Sequence, residues 1–443
     1  MEEWIRQAVE SKDAKKILEL INQNYPIDIA LGLENCDEET LKAFMFGISD
    51  KRLASILEVA NVNTQRRMME NLPFRRVSSL FQHMSNDDIV DILGNLPVGI
   101  RKRYLNMMKQ ASQNEIRRML DYDPQSAGGI MTTEFITVNE ELTVEQAFYK
   151  IRDISPNTEV INTIFVTSKD NTLIGWLDIR DLFINKMTDT LQSIMHKNVI
   201  SVLPEVDQEE VAQLSAKYDL SVVPVVNSRN KLLGIITIDD IMDVLQEEYH
   251  EDMLLMSGVQ ENEQIGGSFW DSLRRRTPWL VINLATAFLA SAVIGLFQDT
   301  ISQVVALAVA MPIITGMGGN SASQTLALVI QGIALGRINL KDDKKYVFKE
   351  ISLGLTNGFI TGLIAAICIY IPYQNFYLSL IVILAMMGNL VVGAIFGYFI
   401  PLILKHLNMD PALASTIFVT TATDVFGFFI FLSLAQLALP LIL

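Results

Sequence analysis

The chain has 443 residues, half of them hydrophobic, and a formal net charge of −15; this length suits about three domains. The charge is unevenly placed: residues 274–443 hold 6 acids and 9 Lys or Arg, a net of +3, which leaves −18 on residues 1–273. So acidic a half excludes a nucleic-acid partner, whose phosphates need basic patches, and suits a surface that attracts cations.

Cys36 and Cys368 are the two cysteines. They lie in regions of opposite character, so no disulfide is expected, and the acidic half fits a reducing compartment. Met1-Glu2-Glu3 opens an acidic, amphipathic start with no basic n-region and no long apolar h-region, so no signal peptide is expected. The four histidines (His83, His196, His250, His406) are scattered. No Ser/His/Asp, Cys/His or phosphate-loop arrangement is present, so an enzyme is not expected.

Residues 1–126 are predicted to form an all-α domain. Leu72-Pro73 and Leu96-Pro97 begin similar units 24 residues apart, and helix pairs of this kind stack into a small superhelix. Asn86-Asp87-Asp88-Ile89-Val90-Asp91 puts Asp87 and Asp91 on one helical face at i,i+4. Like charges there repel, so they are either solvated or share a cation.

Residues 127–238 carry an internal duplication of α/β character. Ile130-Met131 recurs as Ile194-Met195, and Ile136-Thr137-Val138 as Ile200-Ser201-Val202, both at an offset of 64. Further on, Leu173-Ile174-Gly175-Trp176-Leu177-Asp178 matches Leu232-Leu233-Gly234-Ile235-Ile236-Thr237 at an offset of 59, so the second copy is about five residues shorter. The pattern resembles a tandem pair of CBS domains, a regulatory module that commonly binds adenosine nucleotides such as ATP. In Gly234-Ile235-Ile236-Thr237-Ile238-Asp239-Asp240 the hydroxyl of Thr237 and the carboxylate of Asp240 have the spacing to hold a ribose. Copy one has Asp178 in place of the threonine, so at most one good site is expected. A purely structural pair fits the same residues.

Residues 239–273 form an acidic connector. Seven acids fall within the 14 residues 239–252. On a helix, Asp240, Asp243, Glu247 and Glu251 make one acidic stripe whose self-repulsion needs cations or a basic partner to screen it.

Residues 274–443 read as an α-helical membrane domain with five spans, each needing about 20 apolar residues. Thr277–Gln298 gives the first. Ile301–Gly336 is long for one span and contains Pro312 and Gly316-Met317-Gly318-Gly319, which predicts a broken or strongly tilted helix. Ile351–Leu404 divides at Ile371-Pro372-Tyr373-Gln374-Asn375 into spans three and four, and Pro411–Leu443 is the fifth. Arg274, Arg275 and Arg276, then Arg337, Lys341, Lys344, Lys345 and Lys349, then Lys405 and His406 fall on one side of such a five-span chain. The acidic half is therefore expected in the cytoplasm and the C-terminus outside, in a multi-pass protein of the plasma membrane. Asp410 then marks the cytoplasmic end of span five, and Asp424 lies about 21 Å further along a helix.

Asp424 is the most informative residue. From Ile351 to the end, Lys405, Asp410 and Asp424 alone carry formal charge. An Asp at a bilayer centre costs about 2.5–3.5 kcal/mol on insertion scales, and acids kept there usually face a water-filled path. With no basic neighbour in sequence, its partner is expected to be a cation; a hydrogen-bonded structural Asp is the plainer alternative. Gly318-Gly319-Asn320-Ser321-Ala322-Ser323-Gln324 is the second pore candidate, because small residues and amides can serve either a cavity or helix packing.

The whole order of segments resembles the MgtE family of magnesium channels over nearly the full length. The resemblance rests on Tyr122-Asp123-Pro124-Gln125-Ser126-Ala127-Gly128-Gly129-Ile130-Met131-Thr132-Thr133-Glu134-Phe135, the duplicated pair, the acidic connector, and Met409-Asp410-Pro411-Ala412-Leu413-Ala414-Ser415 with the later Asp424-Val425. It implies a homodimer in the lipid bilayer that encloses one Mg2+ path on its twofold axis. It makes Asp424 the pore carboxylate, acting with Gly319, Asn320 and Gln324 on a largely hydrated ion. It also implies that cytoplasmic Mg2+ bridges the N domain, the CBS pair and a connecting "plug" helix, and locks the pore shut. The matching positions are Asp87, Asp91, Asp207, Glu209, Asp219, Asp240, Asp243, Glu251 and Asp252, with Asp410 at the cytoplasmic pore mouth. The family usually has glycine where this chain has Ala322, and the added methyl is expected to narrow or stiffen that helix contact. Two other functions compete with influx through a gated channel: a secondary transporter coupled to H+ or Na+, and a non-conducting sensor of Mg2+ or nucleotide.

Overall fold

The computed structural model describes residues 2–10, 14–154, 160, 162–259, 268–334, 338, 344–407, 409–413 and 415–443. Arg337 and Lys341 of the predicted basic loop, Gly336 at the end of predicted span two, and Ala414 lie outside these residues. The chain divides into two compact units, Met1–Leu245 and Gln246–Leu443.

The first unit opens with α1 (Glu2–Glu10), α2 (Ala14–Gln23), α3 (Pro26–Glu34), α4 (Glu38–Phe46), α5 (Asp50–Glu58), α6 (Val62–Asn71), α7 (Phe74–Leu80), α8 (Asn86–Gly94), α9 (Val98–Leu105) and α10 (Gln110–Leu120). The helices α3 to α10 start after Tyr25, Asp37, Ser49, Asn61, Pro73, Ser85, Pro97 and Lys109, so the N-caps recur every twelfth residue. The predicted 24-residue unit is therefore two copies of a 12-residue helix and turn.

The apolar pattern follows this period. Four residues after the cap stand Ile29, Leu41, Leu53, Val77 and Ile89, all buried. Eight after it stand Leu33, Met45, Leu57, Met69, Phe81, Leu93 and Leu105, and eleven after it Cys36, Ile48, Ala60, Leu72, Met84 and Leu96, buried as well. The fourth and eighth positions share a helical face, and the eleventh fills the turn. Asp37 and Asn61 accept from the backbone N–H of Thr40 and Thr64 at 2.9 and 2.8 Å, a capping bond worth about 1 kcal/mol. Pro73 and Pro97 supply no such bond; their fixed φ instead presets the entry to the helix.

Next come β1 (Thr137–Asn139), α11 (Val144–Ile154), β2 (Thr163–Thr167), β3 (Leu173–Asp178), α12 (Ile179–Ile184), α13 (Leu191–Ile194), α14 (Gln208–Tyr218), β4 (Val222–Val226) and β5 (Leu232–Thr237). β1 pairs parallel with β2, and β2 antiparallel with β3; β4 and β5 form the equivalent antiparallel pair. The five-residue difference between the copies falls between helix and strand: eight residues separate α11 from β2, and three separate α14 from β4.

Each copy lends its leading segment to the other. Thr132 bridges to Ile235 of copy two, and His196 to Trp176 of copy one. The duplicated Ile-Met pairs explain the duplicated glycines. A Cβ on Gly234 would come 2.7 Å from Met131 Sδ, and one on Gly175 would come 2.7 Å from Met195 Sδ. Only glycine lets these side chains seat against the opposite strand.

Helix α15 (Ile238–Met256) leaves β5 directly, and the unit boundary falls within it. The second unit continues with α16 (Phe269–Leu296), α17 (Gln298–Gln303), α18 (Ala306–Ala334), α19 (Lys344–Tyr373), α20 (Phe376–His406), α21 (Ser415–Leu437) and α22 (Leu439–Ile442). Among the described residues, four helices are long and apolar enough to cross a membrane: α16, α19, α20 and, from Thr416, α21. α18 is as long, at 29 residues, but glycines, serines and amides interrupt its apolar run at its middle.

Two expectations change here. The predicted break in span two lies at Val304–Val305, between α17 and α18, and Pro312 sits inside one continuous helix. A proline removes a single ladder bond, which a long, packed helix can bear. The fifth predicted span starts late: residues 410–413 form a turn, with Asp410 Oδ1 accepting from Ala412 N at 2.6 Å, so α21 begins at Ser415. Asp424 is then about 14 Å along its helix at 1.5 Å per residue, not 21 Å.

Small residues set the helix packing. Gly354, Gly358 and Gly362 form a stripe at i+4 spacing on α19. A Cβ on them would come 2.9 Å from Leu390 O, 2.6 Å from Met387 Cα and 3.0 Å from Ile383 Cα of α20. Such close backbone approach is how membrane helices associate without a hydrophobic driving force.

Candidate cation sites

In the second unit the polar residues of α18 divide between two faces. Asn320 and Gln324 are exposed and share one face at i,i+4; Ala322 is fully buried on another. The methyl of Ala322 packs toward α20, where a Cβ on Gly393 would meet it at 3.1 Å. The substitution therefore tightens the α18–α20 contact and stays off the face that carries the amides.

Gly319 lies beside α21, and a Cβ there would be 3.9 Å from Thr423 Oγ1. Asp424, the next residue, is partly exposed. The hydroxyls of Thr420, Thr421 and Thr423 donate to their own helix at the carbonyls of Thr416, Ile417 and Thr420, at 2.8, 2.6 and 2.9 Å. These bonds satisfy the threonines locally and leave the Asp424 carboxylate as the ionic group of this stretch. Gly319 and Asp424, predicted to act together, are thus on contacting helices at one level.

Near the same helix start, Thr416 Oγ1 donates to Met256 O at 2.6 Å, which satisfies a carbonyl at the C-terminus of α15. Leu255 and Met256 pack there with Ala322, Leu326, Ala412 and Val419. Asp410, Glu251 and Asp252 are all partly exposed. A second acid, Glu350 of α19, is buried: Oε2 accepts from Thr325 Oγ1 at 3.1 Å, and Oε1 has no protein partner. It stands one residue before the nearly charge-free stretch that begins at Ile351 and was not among the predicted residues.

The first unit holds a denser group of carboxylates. Asp87 and Asp88 occupy the first turn of α8, where the helix dipole favours anions. Asp87 is buried, and its Oδ1 has no protein hydrogen-bond partner. Asp88 accepts from Ser85 Oγ at 2.5 Å, and Asn86 Nδ2 donates to Thr133 Oγ1 at 2.8 Å, which holds the segment bearing Glu134 near this helix end. Burial pushes Glu58 up to about 7, with added repulsion from Asp88 and Asp87. Burial likewise raises Asp88 to about 6 and Glu134 to about 7, with Asp87 contributing to both. Asp240 is raised to about 7 by burial and by Asp87 and Asp239, against the bond donated by Thr237 Oγ1 at 2.6 Å. Every charge acting on these four groups is negative. Such a set can hold protons or attract a cation.

Of the predicted regulatory acids, Asp87 and Asp240 share this cluster. Asp91, Asp207, Asp219 and Asp243 are exposed, and Glu209 is partly exposed. Glu58, Asp88 and Glu134 belong to the cluster and were missed: Glu58 and Glu134 come from distant segments with no shared spacing, and Asp88, next to Asp87, falls outside the i,i+4 pair. Among the described residues, no three acidic, imidazole or thiol side chains stand close enough to cage a metal.

Between the two α/β copies lies a cleft of about 680 Å³, lined among others by Asn162, Asp178, Arg180, Ser221, Thr237 and Asp239. Thr237 reaches it, whereas Asp240, the other predicted ribose ligand, is not in its lining and bonds Thr237 instead. In copy one Asp178 caps α12 and binds Arg180 through two bonds of 3.0 and 2.9 Å.

Family models match along the chain: the MgtE intracellular N domain over residues 24–125, the CBS domain over 127–185 and 191–247, and the MgtE divalent cation transporter over 311–434. The magnesium transporter MgtE of Bacillus subtilis is 29% identical over 416 residues, covering 94% of this chain and 92% of that protein. That of Enterococcus faecalis is 33% identical over 328 residues, covering 73% and 71%. Among solved structures, the cytosolic domain of the Mg2+ channel MgtE in complex with ATP is similar with a TM-score of 0.53 at 28% identity, covering 55% of this chain and all of that one.

Proposed function

Because the chain belongs to the MgtE family of magnesium transporters, we propose that it is a Mg2+ channel of the plasma membrane, closed by Mg2+ on its cytoplasmic side. The observation that carries the pore reading is Asp424. It is partly exposed in a helix with no other charge, next to the contact with Gly319 and on the helix facing the one that presents Asn320 and Gln324. Two such carboxylates, one from each subunit of a homodimer, repel each other, and a divalent cation between them removes that cost. Mg2+ dehydrates reluctantly, so the amides act on its water shell, and pore width and charge together set selectivity. In this reading α18 is the fifth span, beside α16, α19, α20 and α21. The soluble half is cytoplasmic and the C-terminus lies outside.

The closing signal is read by the carboxylates of Glu58, Asp87, Asp88, Glu134 and Asp240, together with Asp91, Asp207, Glu209, Asp219 and Asp243. Without Mg2+ their repulsion drives the acidic faces apart; with it they are drawn together. Glu251, Asp252 and Asp410 extend the response to the membrane unit, where the bond from Thr416 to Met256 anchors the end of α15. The cleft at Thr237 and Arg180 is proposed to take an adenosine nucleotide such as ATP, with Arg180 facing the phosphates. The domain limits follow the same division: 1–126, 127–238, 239–273 and 274–443.

The test is Mg2+ flux into proteoliposomes, comparing wild type with Asp424→Asn while Mg2+ is varied on the cytoplasmic face. Flux that is lost in the variant and suppressed by cytoplasmic Mg2+ supports pore and gate together. Equal flux in both proteins moves the ion path away from Asp424. Flux in neither at low Mg2+ leaves the sensor reading.

A further inference from the structure

Asn389 stands near the middle of α20, which has no other amide side chain beyond its N-terminus, and is fully buried. Its Nδ2 donates to the carbonyl of Ile314 in α18 at 2.9 Å, and its Oδ1 has no protein partner. A buried amide left half-satisfied costs free energy.

Two glycines face it. A Cβ on Gly318 of α18 would overlap Nδ2 and come 2.7 Å from Cγ. A Cβ on Gly427 of α21 would come 2.7 Å from Nδ2 and 2.8 Å from Oδ1. The amide thus fills the point where α18, α20 and α21 meet. Gly427 is three residues, about one turn, after Asp424, and Gly318 immediately precedes Gly319.

We propose that Asn389 is a positioning residue: wedged between Gly318 and Gly427 and bonded to Ile314, it fixes the depth and rotation of Asp424 against the Gly319–Asn320 stretch and thereby sets the preference among divalent cations. This rests on the reading of Asp424 as the pore carboxylate. A hydrated ion is sensed through its radius, so a small rotation of the carboxylate changes which ion fits before it abolishes passage. A purely structural amide would affect the amount of folded protein and leave the ion preference alone.

The experiment compares wild type, Asn389→Ala, Asn389→Ser, Gly427→Ala and the double variant Asn389→Ala/Gly427→Ala in proteoliposomes. It reads the ratio of Mg2+ to Ca2+ flux. A second readout is disulfide formation between Gly319→Cys and Thr423→Cys in a chain with Cys36 and Cys368 replaced by Ala. Gly427→Ala and Asn389→Ala are each expected to lower the flux ratio at least tenfold and to slow cross-linking at least fivefold. Asn389→Ser is expected to fall between them and wild type. The double variant, whose new methyl occupies the space the amide leaves, is expected to regain at least half of both values. Flux ratios and cross-linking equal to wild type in all single variants overturn the proposal, as does a double variant no better than its parents. Asp424→Asn is run in parallel: if it conducts normally, the pore reading fails, and the cross-linking series still decides whether Asn389 sets the α18–α21 register.

Discussion

Asp240→Asn should stabilise the soluble half at high pH in the absence of Mg2+. Burial and the charges of Asp87 and Asp239 raise Asp240 from 3.8 to about 7. Below about pH 4 the group is protonated in both folded and unfolded chains and costs nothing. As pH rises from about 4 to about 7, the unfolded chain ionises while the folded one keeps its proton, and stability falls by about 1.4 kcal/mol per unit. Above pH 7 the loss is complete, at about 4 kcal/mol as an upper bound. Asparagine removes the charge and keeps an oxygen to accept from the Thr237 hydroxyl, now 2.6 Å away. Part of the relief is shared with neighbouring acids, so the expected gain at pH 8 is about 2–4 kcal/mol. The assay is pulse proteolysis in urea of the full-length protein in detergent with a chelator, following the fragment of the first unit. The urea midpoint should rise by about 1–2 M at pH 8 and be unchanged at pH 4. A variant no more stable than wild type at pH 8, or equally stabilised at pH 4, would refute the assignment of repulsion and burial as the cause.

Because the groups at Glu58, Glu134 and Asp240 must lose protons to hold a cation, Mg2+ protection of the first unit from proteolysis should strengthen at least tenfold between pH 6 and pH 8; a pH-independent midpoint would exclude these residues. Gly234→Ala should destabilise the α/β pair by about 1–3 kcal/mol, since its Cβ would come 2.7 Å from the Thr132 carbonyl, which cannot swing away; urea midpoints measure this. Leu57→Ala, at a fully buried position eight residues after its cap, should cost about 2–5 kcal/mol in the same assay. Thr416→Val removes the donor to Met256 O, a bond worth about 1 kcal/mol, and should raise the cytoplasmic Mg2+ needed for half-closure several-fold in the flux assay.

The sequence by itself determined the succession of segments. Duplicated Ile-Met and glycine positions marked the two α/β copies because strand pairing tolerates little change where a backbone passes over glycine. Long apolar runs marked the membrane helices, because no water is present in a bilayer to satisfy open backbone. Asp424 was legible for the same reason: a lone charge in such a run stands out. The helical period was legible in part; Leu72-Pro73 and Leu96-Pro97 gave 24 residues. The 12-residue unit became visible only with the caps placed, since Asp37, Ser49, Asn61 and Pro73 serve one role with different side chains.

The tertiary structure alone decided which residues meet. Glu58 and Glu134 are unremarkable in their own segments and join Asp87 and Asp88 through long-range packing, which leaves no periodic trace. Pro312 looked like a break and is absorbed by a continuous helix. Ala322 was expected to tighten a helix contact, but the structure alone decided which one: its methyl sits beside Gly393 of α20. Asn389 carried no signal in its apolar helix; its role rests on two glycines 71 residues before and 38 residues after it, brought to one point by three packed helices. Local pattern records what each segment must bury, and the contacts between segments are set by shape that one-dimensional spacing does not encode.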